Sequence, residues 1–146
     1  MRKQSIKQTS PSEELADALV PVAFATMAVL NRFGAENDLS LSLIRVLGIL
    51  WDRRPRMTEL ADYLGLEKQT MSGLIARAEK RGLVGRAPNK EDGRATDVFL
   101  TSEGVKLVER LRAQRPLASL TEQLSASDQQ LLQELLQRML DSRKGR

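Results

Sequence analysis

Met57-Thr58-Glu59-Leu60-Ala61-Asp62-Tyr63-Leu64-Gly65-Leu66 is the stretch that decides the fold, together with the residues that follow it to position 101. Its pattern predicts a short helix and a tight turn. Residues 67–81 predict a second helix, and residues 85–101 predict two strands around a charged tip that contains Gly93. A helix held at a fixed angle by a preceding helix, with a basic hairpin beside it, is typical of a winged helix-turn-helix. The predicted fold class is mainly α with a small β-hairpin wing.

The turn between the two central helices carries small residues where the geometry needs them. Ala61 allows the helices to cross closely, and Gly65 adopts without steric cost the backbone conformation that the turn requires. Five apolar residues fall where the two helices must share a core: Leu60, Leu64, Leu66, Met71 and Leu74. The alternative interpretation is an ordinary pair of antiparallel helices that happens to contain Ala and Gly.

The second central helix has a polar and basic face that suits DNA. Its predicted exposed residues are Glu67, Lys68, Gln69, Thr70, Ser72, Gly73, Ala76, Arg77 and Lys80. The short and amide side chains near its start can reach base edges, and Arg77, one turn on, can take a guanine bidentately. Lys80 and Arg81 are expected to meet phosphate. Gly73 would let the helix sit deep in the groove, and Glu67 would cap the helix or accept from a cytosine amine.

The hairpin carries three cations, Arg86, Lys90 and Arg94. Asp92-Gly93 predicts a tight turn at its tip. An Arg at such a tip can enter a narrow minor groove, where the negative potential is deepest. A carboxylate gains nothing from that potential, so we expect Asp92 to orient Arg94 or to cap the turn. The alternative is a solvated hairpin with ordinary surface charges.

Two helices are predicted before this segment. Ser10-Pro11-Ser12-Glu13 begins the first with a capping box, and Pro21 predicts a kink or a break inside it. The second spans about Ser40 to Arg53, and its predicted inward residues are Leu43, Val46, Leu47, Leu50 and Trp51.

The C-terminal segment is predicted to be helical as well. Thr101 or Ser102 caps a fifth helix, and Pro116 kinks or interrupts it. The last helix carries Leu131, Leu132, Leu135, Leu136, Met139 and Leu140. These apolar residues are too many for one exposed terminal helix, so they indicate packing against a second copy or, as the alternative, within the monomer.

The composition excludes several kinds of site. The 146 residues contain no Cys and no His, which removes disulfides, zinc sites, thiol redox sensing and Cys- or His-based catalysis. We therefore expect no cofactor and no metal. We expect no membrane span, because no apolar run reaches the roughly 18 to 20 residues that cross a bilayer, and no signal-peptide core follows the basic N-terminus. A cytoplasmic protein without a membrane partner is the simplest interpretation.

Positive charge is localised rather than large. The formal net charge is +4, and residues 53–94 hold ten Lys or Arg against six Asp or Glu. The tails add further cations: Arg2, Lys3, Lys7, Arg138, Arg143, Lys144 and Arg146. A localised positive face is what phosphate binding needs. The alternative is a solvated surface with uneven charge.

Five motifs together resemble the MarR family of bacterial transcriptional regulators. They are Leu60-Ala61…Leu64-Gly65-Leu66, Thr70-Met71-Ser72, Glu79-Lys80-Arg81-Gly82-Leu83-Val84, Asp92-Gly93-Arg94 and Val98-Phe99-Leu100-Thr101-Ser102-Glu103-Gly104. The Asp-x-Arg tip followed by Leu-Thr-x-x-Gly is the most specific part, because helix-turn-helix spacing alone is shared by many families.

The resemblance implies a homodimer that binds double-stranded DNA at a pseudo-palindromic operator, usually as a repressor. Half-sites would lie about one helical turn apart. Residues 1–36 and 102–146 would be dimerisation helices of a single domain, around a DNA-binding lobe at residues 40–101. The candidate DNA-binding residues are Lys68, Gln69, Thr70, Ser72, Gly73, Arg77, Arg86, Lys90, Asp92 and Arg94, and the candidate interface residues are Leu15, Leu19, Leu132, Leu135, Leu136 and Met139.

Many members of the family lose affinity for DNA when a small anionic or aromatic compound binds between the lobe and the dimerisation helices. Four residues could line such a pocket, although a role in the core explains them better: Met27, Leu47, Trp51 and Leu111. Whether this chain has such a ligand stays open.

Two other classes of protein fit less well. A winged helix used for protein contact often lacks basic residues on the helix face and the wing, and this chain has them. An enzyme is disfavoured because the sequence has no Gly-rich phosphate loop, metal-ligand cluster or nucleophile–base pairing. A steep salt dependence of DNA binding would distinguish the regulator from the protein-contact module.

Overall fold

A computed structural model describes residues 8–144, and the side chains as far as residue 143. These residues form seven helices and two strands, in the order α1 (Pro11–Asn37), α2 (Leu41–Leu50), α3 (Met57–Leu64), α4 (Lys68–Lys80), β1 (Val84–Pro88), β2 (Thr96–Leu100), α5 (Ser102–Gln114), α6 (Ala118–Thr121) and α7 (Ala126–Lys144). The predicted fold class, mainly α with a hairpin wing, is confirmed. Several predicted tail cations lie outside the described residues: Arg2, Lys3, Lys7, Arg146 and the side chain of Lys144.

Helix α1 begins with the predicted capping box. The Ser10 amide donates to Glu13 Oε2 at 2.8 Å, and the Glu13 amide donates to Ser10 Oγ at 3.3 Å. The helix continues through Pro21 to Asn37, a length of 27 residues. Pro21 therefore does not break α1, and the helix tolerates the loss of one amide donor there.

Helix α1 is more apolar than expected from the sequence. By length and composition it could cross a membrane, because an 18-residue window in it has a mean hydropathy of 1.4. The expectation that no segment is long and apolar enough to span a bilayer is therefore wrong as judged by length and mean hydropathy. Core helices of soluble proteins and signal sequences meet the same criterion, so it is weak support for a membrane span. Only 11% of that window is buried within the chain.

The chain divides into two compact units, residues 28–115 and residues 1–27 with 116–146. The hydrophobic core lies in the unit of residues 28–115. Its buried residues are Phe33, Leu39, Leu43, Val46, Leu47, Ile49, Leu50, Leu60, Ala61, Met71, Leu74, Ile75, Ala78, Leu83, Val84, Val98, Val108 and Leu111. The predicted division into dimerisation helices and a DNA-binding lobe stays a prediction.

Helices α3 and α4 form the predicted helix-turn-helix. Gly65 has a φ of +65°, in the left-handed region, and the Leu66 amide closes the turn on the Ala61 carbonyl at 3.0 Å. Leu60 and Met71 are fully buried at the helix pair. Leu64 and Leu66, also predicted for the shared core, are partly buried at its edge.

Helix α2 is shorter than predicted and ends at Leu50. Ser40 caps it by accepting from the Leu43 amide at 3.1 Å. The prediction that Trp51 points inward is wrong, since this residue is 36% exposed. Trp51 is the C-cap residue, beyond the last turn that the core covers, and its ring lies under the Arg112 guanidinium at 5.2 Å.

The wing is an antiparallel hairpin in which Val84 pairs with Leu100 and Pro88 with Thr96. The segment before α3 extends this small sheet. Residues Arg56 and Asp97 form an isolated antiparallel bridge, and the Val98 amide donates to the Pro55 carbonyl at 2.9 Å. The hairpin is therefore held to the loop between α2 and α3.

Helix α5 begins directly after the hairpin. Thr101 is its cap and accepts from the Gly104 amide at 3.1 Å, which fits one of the two predicted caps. Arg115, with a φ of +46°, ends the helix before Pro116, and α6 and α7 follow. The predicted interruption at Pro116 is confirmed.

The unit of residues 1–27 and 116–146 has no buried residue in its described part, residues 8–27 and 116–143. Its exposed large apolar side chains are Leu15, Leu19, Val20, Val22, Phe24, Met27, Leu120, Leu131, Leu132, Leu135, Leu136, Met139 and Leu140. Monomeric proteins rarely expose so large a set of apolar side chains without a partner.

Substitution by Ala should have opposite effects on stability at two helical glycines. A methyl group at Gly104 would overlap the Leu83 carbonyl oxygen, whereas a methyl group at Gly48 in α2 would meet nothing within 4 Å. We expect Gly104→Ala to lower the free energy of unfolding by about 1 to 3 kcal/mol because the backbones must move apart. Gly48→Ala, the matched control, should raise it by about 0.5 to 1 kcal/mol through helix propensity. Urea unfolding followed by circular dichroism measures both, and an unchanged stability of Gly104→Ala would contradict the close approach.

Candidate nucleic-acid interface

Helix α4 has one buried and one exposed face. Met71, Leu74, Ile75 and Ala78 are buried. The predicted outward residues are exposed: Glu67, Lys68, Gln69, Thr70, Ser72, Ala76, Arg77 and Lys80. The exposed face therefore holds amides, hydroxyls and cations on a helix whose angle is set by core packing, an arrangement that can enter a major groove.

Gly73 is the exception on this face, since it is partly covered. A Cβ atom at this position would lie 3.3 Å from Arg77 Nη1. The guanidinium of Arg77 thus lies back along α4 over the position without a side chain. In the free protein, Gly73 makes room for Arg77 rather than leaving an open surface.

Glu67 occupies the N-cap position of α4, with extended backbone at φ −68° and ψ 154°. Its side chain makes no capping hydrogen bond. The alternative in which the Glu67 carboxylate caps the helix is therefore not seen, and that carboxylate is exposed at the start of the helix.

Arg81 is engaged within the protein. Its Nη1 donates to the Asp38 carbonyl oxygen at 2.8 Å, which ties the end of α4 to the loop between α1 and α2. Asp38 has a φ of +55°, a left-handed conformation that Asp adopts more readily than most residues. The expectation that Arg81 meets phosphate is therefore weakened, whereas Lys80 is exposed.

At the wing tip, Asp92 does both things that the sequence predicted. Its Oδ1 accepts from the Arg94 amide at 3.1 Å, which closes the turn, and from Arg94 Nε at 3.4 Å, which orients the side chain. The Arg94 side chain is 95% exposed. Lys90 lies on the same hairpin and is exposed too. The tip therefore presents two cations to solvent.

Arg86 lies at the base of the wing, on β1, and pairs with Glu79 of α4. Its Nη2 donates to Glu79 Oε1 at 2.8 Å. The hydrogen bond from Arg86 to Glu79, and the charge of that carboxylate, raise the pKa of the guanidinium above its usual range. The pair links the hairpin to α4 and leaves Arg86 only partly available to DNA.

A group of polar residues at the root of the wing was not predicted from the sequence. Asn89 Oδ1 accepts from the amides of Glu91 and Asp92, both at 3.0 Å, and from Arg56 Nη2 at 3.4 Å. Asn89 Nδ2 donates to Asp97 Oδ1 at 2.8 Å. An Asn before a hairpin tip is a signal for a side chain that bonds the backbone of the turn.

Arg54 completes this group. Its Nε lies 3.8 Å from Asp97 Oδ2, and its guanidinium stacks over the Phe99 ring at 4.2 Å. One sign of this group was present in the sequence, since Asp97 places a carboxylate in the otherwise mainly apolar strand of residues 96–100. The partners of that carboxylate could not be identified from its own strand.

A shallow cavity of about 280 Å³ opens between the start of α2 and the end of α3. It is lined by Leu41, Ser42, Arg45, Tyr63, Leu64 and Leu66. None of the four residues suggested for a ligand pocket lines it: Leu47 and Leu111 are buried in the core, and Met27 and Trp51 are exposed. Among the described residues, no group of three or more carboxylates could hold a metal ion.

Comparisons with known proteins agree with this geometry. A sequence profile described as MarR family matches residues 37–95. The HTH-type transcriptional repressor IacR of Pseudomonas putida is 33% identical over 92 residues, which cover 58% of this chain and 55% of IacR. The chain therefore spans about half the length of that relative. The transcriptional regulator HosA of Escherichia coli O127:H6 is 32% identical over 102 residues, which cover 59% of this chain and 73% of HosA.

The fold is shared with solved structures. NadR, solved in complex with 4-hydroxyphenylacetate, has a TM-score of 0.75 and 25% sequence identity. The superposition covers 95% of this chain and 97% of NadR. With the profile match and the similarity to HosA, these findings establish the family: the chain belongs to the MarR family of transcriptional regulators.

Proposed function

We propose that this protein is a dimeric, cytoplasmic repressor that binds a pseudo-palindromic DNA operator through α4 and the wing. In this proposal the first half of α4 reads bases in the major groove, and the wing tip enters the adjacent minor groove. The DNA-contacting residues are Lys68, Gln69, Thr70, Ser72, Gly73, Arg77, Arg86, Lys90, Asp92 and Arg94. The names of the relatives IacR and HosA, a repressor and a regulator, are consistent with this activity.

One observation carries the proposal. The polar, basic face of α4 and the exposed Arg94 at the wing tip belong to two elements, α4 and the hairpin, that are joined by a salt bridge. The salt bridge between Arg86 and Glu79 joins β1 to α4. Asp92 holds Arg94 at the tip. A helix face and a wing tip fixed together suit simultaneous contact with a major groove and the neighbouring minor groove.

The proposed dimer interface consists of apolar faces of α1 and α7. Leu15, Leu19, Leu132, Leu135, Leu136 and Met139 are all exposed in the single chain. A second copy would remove from water the 38–59% of each residue's surface that the single chain exposes. Burial of apolar surface contributes about 25 cal/mol per Å². This proposal also accounts for the apolar character of α1 without a membrane.

The proposal includes a small-molecule effector. NadR, one structural relative, was solved in complex with 4-hydroxyphenylacetate. In this chain the cavity between α2 and α3 offers a cation, Arg45, beside the side chains of Ser42 and Tyr63. This cation is the feature of the cavity that would favour an anionic compound.

Selection of bound duplexes from a random pool, followed by titration of the winners at several salt concentrations, tests the main proposal. We expect a palindromic site with about ten base pairs between half-site centres. We also expect a steep salt dependence, since each neutralised phosphate adds to the slope. A pool without an enriched site, and weak binding at all salts, would favour a winged helix that contacts protein.

Removal of the wing-tip cation should weaken operator binding. We expect Arg94→Ala to cost about 1 to 3 kcal/mol of binding free energy, because an exposed tip residue contributes contacts but little core. Fluorescence anisotropy with a labelled operator measures the loss. The matched control is Arg110→Ala, which removes an exposed Arg from α5. Equal affinities of the wild type and Arg94→Ala would contradict the wing contact.

Charges on the apolar face of α7 should separate the subunits. The double substitution Leu135→Asp with Leu136→Asp would bury carboxylates without partners, so we expect a monomer in analytical ultracentrifugation. The control is Gln130→Asp with Gln133→Asp, which adds the same charge to the polar side of α7 and should leave a dimer. A dimer that persists in the Leu variant would refute the interface assignment.

A further inference from the structure

The wing contains a buried carboxylate that the proposed DNA contacts do not use. Among residues 8–143, Asp97 is the one charged side chain that is buried, with 8% of its surface exposed. A carboxylate so close to a DNA-binding surface repels phosphate and costs free energy to desolvate. Its presence therefore needs a structural reason.

The reason lies in a chain of hydrogen bonds that runs from Asp97 to the tip. Asp97 Oδ1 accepts from Asn89 Nδ2 at 2.8 Å, which fixes the orientation of the Asn89 amide. The Asn89 oxygen then faces the backbone amides of Glu91 and Asp92 and accepts from both at 3.0 Å. Asp92 in turn holds Arg94.

We propose that Asp97 is a positioning residue for DNA binding: acting through Asn89, it holds the wing tip in the conformation that presents Arg94. The inference rests on the proposed DNA-binding function and deepens it, because it assigns part of the affinity to a residue that touches no DNA. Asn89 is the second positioning residue. Neither residue belongs to the proposed contact surface.

Two arginines before α3 contact the two positioning residues. Arg54 Nε lies 3.8 Å from Asp97 Oδ2, and Arg56 Nη2 donates to Asn89 Oδ1 at 3.4 Å. Both belong to the segment that bridges β2 through Arg56 and Asp97. The tip is thus anchored to the helix-turn-helix core and does not depend on its own turn alone.

Removal of the Asp97 carboxylate should change DNA affinity in opposite directions, depending on whether its charge or its anchoring role dominates. Loss of a negative charge beside bound DNA should strengthen binding if charge alone matters. Loss of an anchor should weaken it, since Arg94 must then be ordered at the moment of binding. We expect Asp97→Ala to weaken operator binding by about tenfold, which corresponds to about 1.4 kcal/mol. Asp97→Asn keeps an acceptor for Asn89 and should stay within about threefold of the wild type.

A double-mutant cycle separates positioning from general damage to the fold. If Asp97 acts by holding Arg94, then Asp97→Ala should change affinity by less than about twofold once Arg94→Ala is present. A merely structural role would cost the same with or without Arg94. Asn89→Ala should reproduce the loss of Asp97→Ala, and it serves as the alternative variant if Asp97→Ala does not fold, as judged by thermal unfolding.

The matched control is Glu91→Ala. Glu91 is an exposed carboxylate of the same wing whose side chain has no hydrogen bond or ion pair in the described part of the chain. Its removal makes the same change in charge without removing an anchor, so binding should be unchanged or slightly tighter. Asp97→Ala binding as tightly as Glu91→Ala would overturn the inference. So would equal losses from Asp97→Ala with and without Arg94.

Failure of this inference is distinguishable from failure of the proposed function. If the wild type binds no selected DNA, the function itself is wrong. Amide hydrogen exchange of the free protein still tests the anchor, because the amides of Glu91 and Asp92 should exchange faster in Asp97→Ala than in the wild type. Unchanged exchange would overturn the anchoring role. If the wild type and Arg94→Ala behave as expected but Asp97→Ala binds normally, only the positioning role is wrong.

Discussion

Leu60 of α3 and Met71 and Ile75 of α4 belong to one buried core. This core fixes the angle of α4, and all proposed DNA contacts depend on that angle. Each of these side chains is fully buried. The wing is attached to the same core, since Val84 and Val98 are members of it. A large-to-small change in such a core costs about 2 to 5 kcal/mol, as much as several surface contacts to DNA. Loss of DNA binding in a core variant therefore says nothing about contacts, and only exposed residues can report on the interface.

Most of the fold could be predicted from the sequence because its signals are local. The capping box at Ser10, the left-handed Gly65 and the cap at Thr101 each depend on residues within a few positions, and each is present. The turn at Asp92 is local in the same way. The spacing of apolar residues also indicates which face of a helix or strand is buried. The exposed face of α4 could therefore be predicted from the sequence alone.

The parts of the site that could not be predicted are bonds between residues distant in sequence. Arg56 reaches Asn89 across 33 positions, and Arg81 reaches the Asp38 carbonyl across 43. A charge count treats such arginines as available for phosphate, although the fold occupies them. The prediction that Trp51 is buried is wrong for a related reason. The helical period places this residue inward, but the helix and its core end one residue earlier.

These occupied cations change how the basic segment is to be understood. Of the ten Lys and Arg between residues 53 and 94, six have a partner within the protein: Arg53, Arg54, Arg56, Arg81, Arg86 and Arg94. Exposed pairs are worth about 0 to 1 kcal/mol each, so DNA can exchange them for phosphate at little cost. Arg94, at the exposed wing tip, is of this kind. Arg54 and Arg56 differ, because they stabilise the network around buried Asp97 that holds the wing. Some cations of this segment are therefore available to DNA, and others stabilise the wing. The segment should neutralise fewer phosphates than its number of basic residues suggests.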